Sequence, residues 1–215
     1  MTNPTTPATG KDYFGYGDVR NIFKPQPDSE KTVGGLFVGP KFIDVAEALD
    51  LDAPVLESLK QAGYLTVEGI RVKQDRPGKA INAFGGDELD YGQTSFSLTV
   101  AFDVLEYFND DAQRLAYGKN NVTVTPATTS HGKRTLTKIT AKQLDEVSLF
   151  ILLVQGDKQA RYLAPFARVT EVGEEKHVHD ELVSTPLTAR CFPYQGAVLH
   201  RNVDDGMKLP AGLAA

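Results

Sequence analysis

The sequence predicts a mainly β protein: an antiparallel sandwich or small barrel with one short α-helix and an extended arm at each end. Three observations lead there. Residues 94–104 alternate strictly, with Phe96, Leu98, Val100, Phe102 and Val104 pointing one way and Ser95, Ser97, Thr99, Ala101 and Asp103 the other. Short apolar or alternating runs recur along most of the chain, separated by Gly, Pro, Asn and Asp. One segment, 109–118, carries a helical apolar stripe with capping residues at both ends.

The elements follow in order. Residues 1–32 are rich in Pro, Thr and Gly and lack periodicity, so this stretch would not pack alone. A disordered tail is one reading. Its aromatic cluster, Tyr13, Phe14, Tyr16 and Phe23, supports another: an arm that docks on its own body or on a neighbouring subunit. The β domain is expected over 33–203. Its first strand is Val33–Val38, stopped at Gly39-Pro40. Residues 44–51 and 53–62 have helical character, the second especially from Pro54 to Gln61, because proline is tolerated at a first helical position.

Residues 63–89 read as one long hairpin. Leu65, Val67, Ile70 and Val72 nearly alternate with polar neighbours, and a break at Gly69 suits a bulge. The turn is placed at Arg76-Pro77-Gly78-Lys79. Pro77 presets φ at one central position and Gly78 accepts positive φ at the next. The return strand is Ala80–Phe84. After the alternating strand, Asn109 is a helix N-cap, Asp110 and Asp111 favour the first turn, and Gly118 ends the helix. Asp103 with Glu106 offers an alternative capping box for a longer helix. Strands are then expected at 122–125, 135–141, 147–155, 159–172, 181–194 and 197–203. Pro165 should place a bulge or an edge in the middle of the long one. Residues 204–215, punctuated by Gly and Pro, read as a C-terminal arm.

The 215 residues carry a formal charge of −5, with 41% apolar and 24% charged residues. That is an ordinary composition, and the acidic balance argues against a surface built to grip nucleic acid. One cysteine, Cys191, excludes an intramolecular disulfide and fits a reducing cytoplasm. No basic region followed by an apolar run opens the chain, so no signal peptide is expected. The longest apolar run, 147–154, is too short for a membrane helix.

The chemistry-bearing motifs are fragments. Gly15 and Gly17 match two positions of a dinucleotide fingerprint whose remaining features are missing. Gly132-Lys133 resembles the end of a phosphate loop, but Ala127 stands where glycine is required. Cys191, beside Phe192, reads as a small core residue, not a nucleophile. His177 and His179 could share a face of a strand and hold a metal with a third ligand. Flanking charges favour a solvated hairpin tip instead. No cofactor and no enzymatic activity are expected. A monomeric β-barrel that binds a small ligand remains an alternative.

An ordered set of short patterns carries a family resemblance. Gly63-Tyr64, Glu68-Gly69, Ala83-Phe84-Gly85-Gly86, a strand, and a helix ending Leu115-Ala116-Tyr117-Gly118 together resemble the major tail tube protein of long non-contractile-tailed (siphophage-type) bacteriophages. The likeness covers about residues 33–124. It implies a β-sandwich domain of the tail tube type and hexameric rings stacked into a hollow tube through which DNA leaves the capsid without specific binding. It also implies partners: further copies of the chain, and the tail terminator, tape measure and distal tail proteins, with no membrane. The setting would be the virion tail, assembled in the host cytoplasm. In that family the region around 42–62 is a long loop reaching the adjacent ring. Ser95, Ser97, Thr99 and Asp103 would then be lumen-facing candidates. On a monomer the same residues are a solvated sheet face. The related bacterial effector-secretion tube shares fold and ring.

Overall fold

In a computed structural model of the chain, the described residues are 22–26 and 35–208. They form a mainly β, antiparallel fold. The chain runs β1 (Leu36–Pro40), α1 (Val45–Leu49), β2 (Lys60–Gln61), β3 (Leu65–Asp75), β4 (Gly78–Asn82), β5 (Glu88–Gln93), β6 (Ser97–Val104) and α2 (Asp110–Tyr117). It continues through β7 (Val122–Thr125), β8 (Arg134–Thr137), β9 (Glu146–Gln155), β10 (Lys158–Val172), β11 (Thr185–Cys191) and β12 (His200–Asp204). The main sheet has the order β2-β1-β9-β10-β11-β6-β3, and β12 pairs with β10. β4–β5 and β7–β8 are separate two-stranded ribbons.

The sheet curls because its first and last strands are almost contiguous in sequence. Only Ala62, Gly63 and Tyr64 lie between β2 and β3. Four extended steps span at most about 14 Å, so the two borders meet at one rim. The concave face buries Leu36, Val100, Phe102, Leu149, Ala167 and Leu187 in one cluster. Ala112, Leu115 and Ala116 of α2 join it. A second cluster lies on the convex face of β1, β9 and β10, where Phe37, Phe150, Leu152 and Leu163 pack against Ile43, Leu49 and Leu59. Leu149 and Ile151 therefore serve one core while Phe150 and Leu152 serve the other. That two-sided burial explains why β9 reads as a continuous apolar run.

The bulge expected at Pro165 is present: β10 slips register against β9 between Ala164 and Ala167. The bend lets one strand serve two partners on the same side, β12 along 159–163 and β11 along 167–172. The break at Gly69 is also a register shift, between Leu65 and Ile70 against β6, and Gly69 has φ +63°. Asn109 caps α2, its side chain accepting from the Asp111 and Ala112 amides, and Gly118 donates to the Arg114 carbonyl at the other end. The capping-box alternative fails because β6 runs to Val104. Glu106 instead accepts from the Tyr64 amide and the Asn109 side chain.

Two expectations need correction. Residues 54–61 are not helical: Leu59 bonds back to Leu56 in a turn, and Lys60–Gln61 pairs with β1. The spacing of Val55, Leu56 and Leu59 suited a helix, but the same residues cover the convex core as an irregular segment. The hairpin turn is not at Pro77-Gly78. β3 pairs with β6, and β4 pairs with β5. The Thr94 amide donates to the Pro77 carbonyl, which carries the pairing across the junction. The long hairpin therefore runs from 65 to 104, kinks at Pro77, and turns at Ala83–Asp87, where the Ala83 amide donates to the Asp87 carbonyl. The other helical reading, 44–51, shortens to α1, capped by Asp44 accepting from the Glu47 amide.

Candidate assembly interface

Three surfaces lack a partner within the described residues. The first is the outer edge of β3. This strand is 11 residues long and pairs only with β6, so its other border presents backbone groups to solvent. Val67 stands fully exposed in its bulge. The second is the β4–β5 ribbon, which extends the β3/β6 pair beyond the body. Ile81, Leu89 and Tyr91 are each more than half exposed on it, and Phe84 at the tip is completely so. A two-stranded ribbon with nothing beneath it is marginally stable in water. The third is an apolar group around α2 and the β10–β11 loop, with Phe108 83% and Leu182 78% exposed.

The candidate luminal residues lie on the convex face. Ser97, Thr99 and Asp103 are half-buried on β6, and Ser95 is exposed just before it. Their setting is more charged than a hydroxyl stripe. Strand register aligns Lys73, Thr99, Arg190, Arg168 and Glu146 in one row across the sheet. Glu146 is bonded to both Lys41 and Arg168, and these cations hold its carboxyl below the usual range, Lys41 contributing most. Asp103 pairs with Arg71 at 3.1 Å, and Arg71 also pairs with Glu68 at 2.9 Å. Lys73 and Arg190 have no carboxylate partner among the described residues. No sequence signal joins these residues; only the strand pairing aligns them.

Of the arm candidates, Phe23 is described; Tyr13, Phe14 and Tyr16 lie outside the described residues. Phe23 lines a cleft with Tyr162, Arg201 and Val203. Gln26 exchanges both backbone bonds with Val154 of β9, at 2.9 and 3.2 Å. The Lys24 amide donates to the Gln155 side chain, and Lys158 donates to the Ile22 carbonyl. This part of the arm docks on its own body by strand addition. His177 and His179 are exposed on the loop between β10 and β11, outside any strand. The His177 ring stands edge-on to Tyr107 with its Nε2 3.7 Å from Glu175. Among the described residues no three His, Cys, Asp or Glu side chains are grouped to hold a metal.

Two buried polar features are structural. Arg161, 4% exposed, donates to the carbonyls of Asp50, Leu51 and Ala53 and so ties the end of α1 to β10. Burial lowers its pKa from the ordinary value. Cys191 is buried on β11, and that burial pushes its thiol up to about 12. Among the described residues no helix is long and apolar enough to cross a membrane.

A last feature is a cleft of about 800 Å³ at the open mouth of the curl, between β3/β6 and β9/β10. Neither a protein-family model nor a curated protein matches the chain.

Proposed function

We propose that this chain is a structural, tube-forming protein whose copies join into hexameric rings, stacked as the tail tube of a siphophage-type virion. The observation that carries the reading is the uncovered β3/β4–β5 arm: a long free strand edge continued by a ribbon with apolar residues on show. Such an edge is a hazard on a solitary molecule and is satisfied when a neighbouring copy completes the sheet around a closed ring. The ordered Gly-marked patterns of residues 63–118 supply the family likeness. In this reading DNA passes through the lumen without specific binding, and ring ends meet tail terminator, tape measure and distal tail proteins. Assembly takes place in the host cytoplasm. The bacterial effector-secretion tube is the same reading with a different cargo.

The cleft at the mouth of the curl favours a second reading, a monomeric β-barrel that binds a small ligand. Sedimentation velocity over a hundredfold concentration range separates the two. Ring-forming chains give large species that grow with concentration. A ligand-binding monomer stays at the mass of one chain, 23.4 kDa.

A further inference from the structure

We propose that the cleft at the mouth of the curled sheet is the socket for the β4–β5 ribbon tip of a second copy, so that copies join head to tail. This rests on the assembly reading and specifies its contact. The socket has apolar walls, including Ile70, Phe96, Leu153 and Leu199, and two guanidinium groups at its lining, Arg76 and Arg201. Arg76 stacks over Phe96 at 4.5 Å and, among the described residues, bonds to the Gln93 and Gln74 side chains. Arg201 lies over Tyr162 at 6.0 Å. Neither has a carboxylate partner among the described residues, so two cations line a cleft of mixed polar and apolar walls without an opposite charge.

The ribbon tip is the chemical complement. Phe84 projects fully into solvent, and Gly85 and Gly86 beside it have open space where a side chain would be. The tip is therefore one aromatic ring on a slim turn. Asp87, Glu88 and Asp90 follow it, and none has a cationic partner among the described residues. An aromatic anchor entering an apolar pocket, rimmed by opposite charges, is the usual make-up of a strong protein contact.

The tip does not fill its own socket. Phe84 lies eight steps beyond Arg76 along an extended ribbon, roughly 25 Å at about 3.3 Å per residue. The occupant is another copy. Because tip and socket are different surfaces, each copy offers one and receives one. That heterologous contact closes into a ring or runs on as a filament.

A charge swap tests this. One full-length variant carries Asp87→Lys and Glu88→Lys; a second carries Arg76→Glu and Arg201→Glu. All four positions are at the surface or cleft lining, and circular dichroism melting confirms that both variants fold. Each variant alone meets like charge with like charge, and its association, read by sedimentation, falls roughly tenfold or more. Mixed one to one, every tip meets an opposite socket, and assembly returns. A Phe84→Ser variant weakens association without any charge change. Wild-type assembly with unaltered variants, or no recovery in the mixture, overturns the socket while leaving the assembly reading in place. A wild type that stays monomeric overturns both.

Discussion

Gly63 and Glu106 occupy space that only a glycine at 63 leaves free. A Cβ built on Gly63 would stand 2.7 Å from both carboxylate oxygens of Glu106, and Gly63 has φ +92°. The same carboxylate accepts the Tyr64 amide at 2.9 Å and the Asn109 side-chain amide at 2.9 Å. Glu106 thus ties the three-residue link between the sheet's two borders to the start of α2. This joint holds the curl shut at one rim.

Gly63→Ala should destabilise the fold by about 2 kcal/mol or more, from unfavourable φ and from displacement of Glu106. In a Glu106→Ala background the same substitution should cost less, since only the backbone strain remains. A double-mutant cycle by urea denaturation measures the coupling. Equal costs in both backgrounds would show that the two residues do not compete for this space.

Arg161→Met should cost on the order of 3 kcal/mol, because three carbonyls lose a charged donor that contributes about 1.5–3 kcal/mol per bond. The loss falls on residues 50–53, so amide exchange there should quicken before the sheet opens. Unchanged exchange in this segment would remove Arg161 from the role of tie.

Alkaline pH should destabilise the protein through two groups. Burial pushes the Cys191 thiol up to about 12. Burial, and then the hydrogen bond to Glu175, push the Tyr117 phenol well above its ordinary value. In the unfolded chain both ionise at lower pH than in the fold. Their stabilisation is complete below about pH 9 and is lost as pH rises toward the folded values. Each group contributes a slope of up to about 1.4 kcal/mol per pH unit. Urea midpoints from pH 8 to 11 should fall more steeply for the wild type than for Cys191→Ala, and parallel curves would contradict the sign argued here.

Deleting residues 1–32 should leave the curled sheet folded while lowering assembly. The deletion uncovers the backbone of Val154 and empties the Phe23 cleft beside Tyr162 and Val203. Far-ultraviolet circular dichroism should change little, and the yield of large species should fall. Full yield from the truncated chain would make the arm dispensable.

What the sequence disclosed depended on how local the cause was. The alternation of Phe96 to Val104, the cap at Asn109, the bulges at Gly69 and Pro165 and the two-sided burial of β9 all follow from neighbouring residues. Pairing of β3 with β6 across an excursion of some 20 residues does not. Pro77-Gly78 carried turn chemistry, yet the backbone of Thr94 was there to continue the pairing, and the turn fell to Gly85-Gly86 instead. The row Lys73, Thr99, Arg190, Arg168, Glu146 draws on five strands and existed in the sequence only as unrelated letters. Likewise Arg76 and Arg201 are 125 positions apart and meet only because the sheet curls.

Electron microscopy of the purified full-length protein tests the central claim most directly. The account predicts six-fold rings with a hollow centre, stacking end to end into tubes as concentration rises. Single 23.4 kDa particles at every concentration, with no rings or tubes, would contradict it.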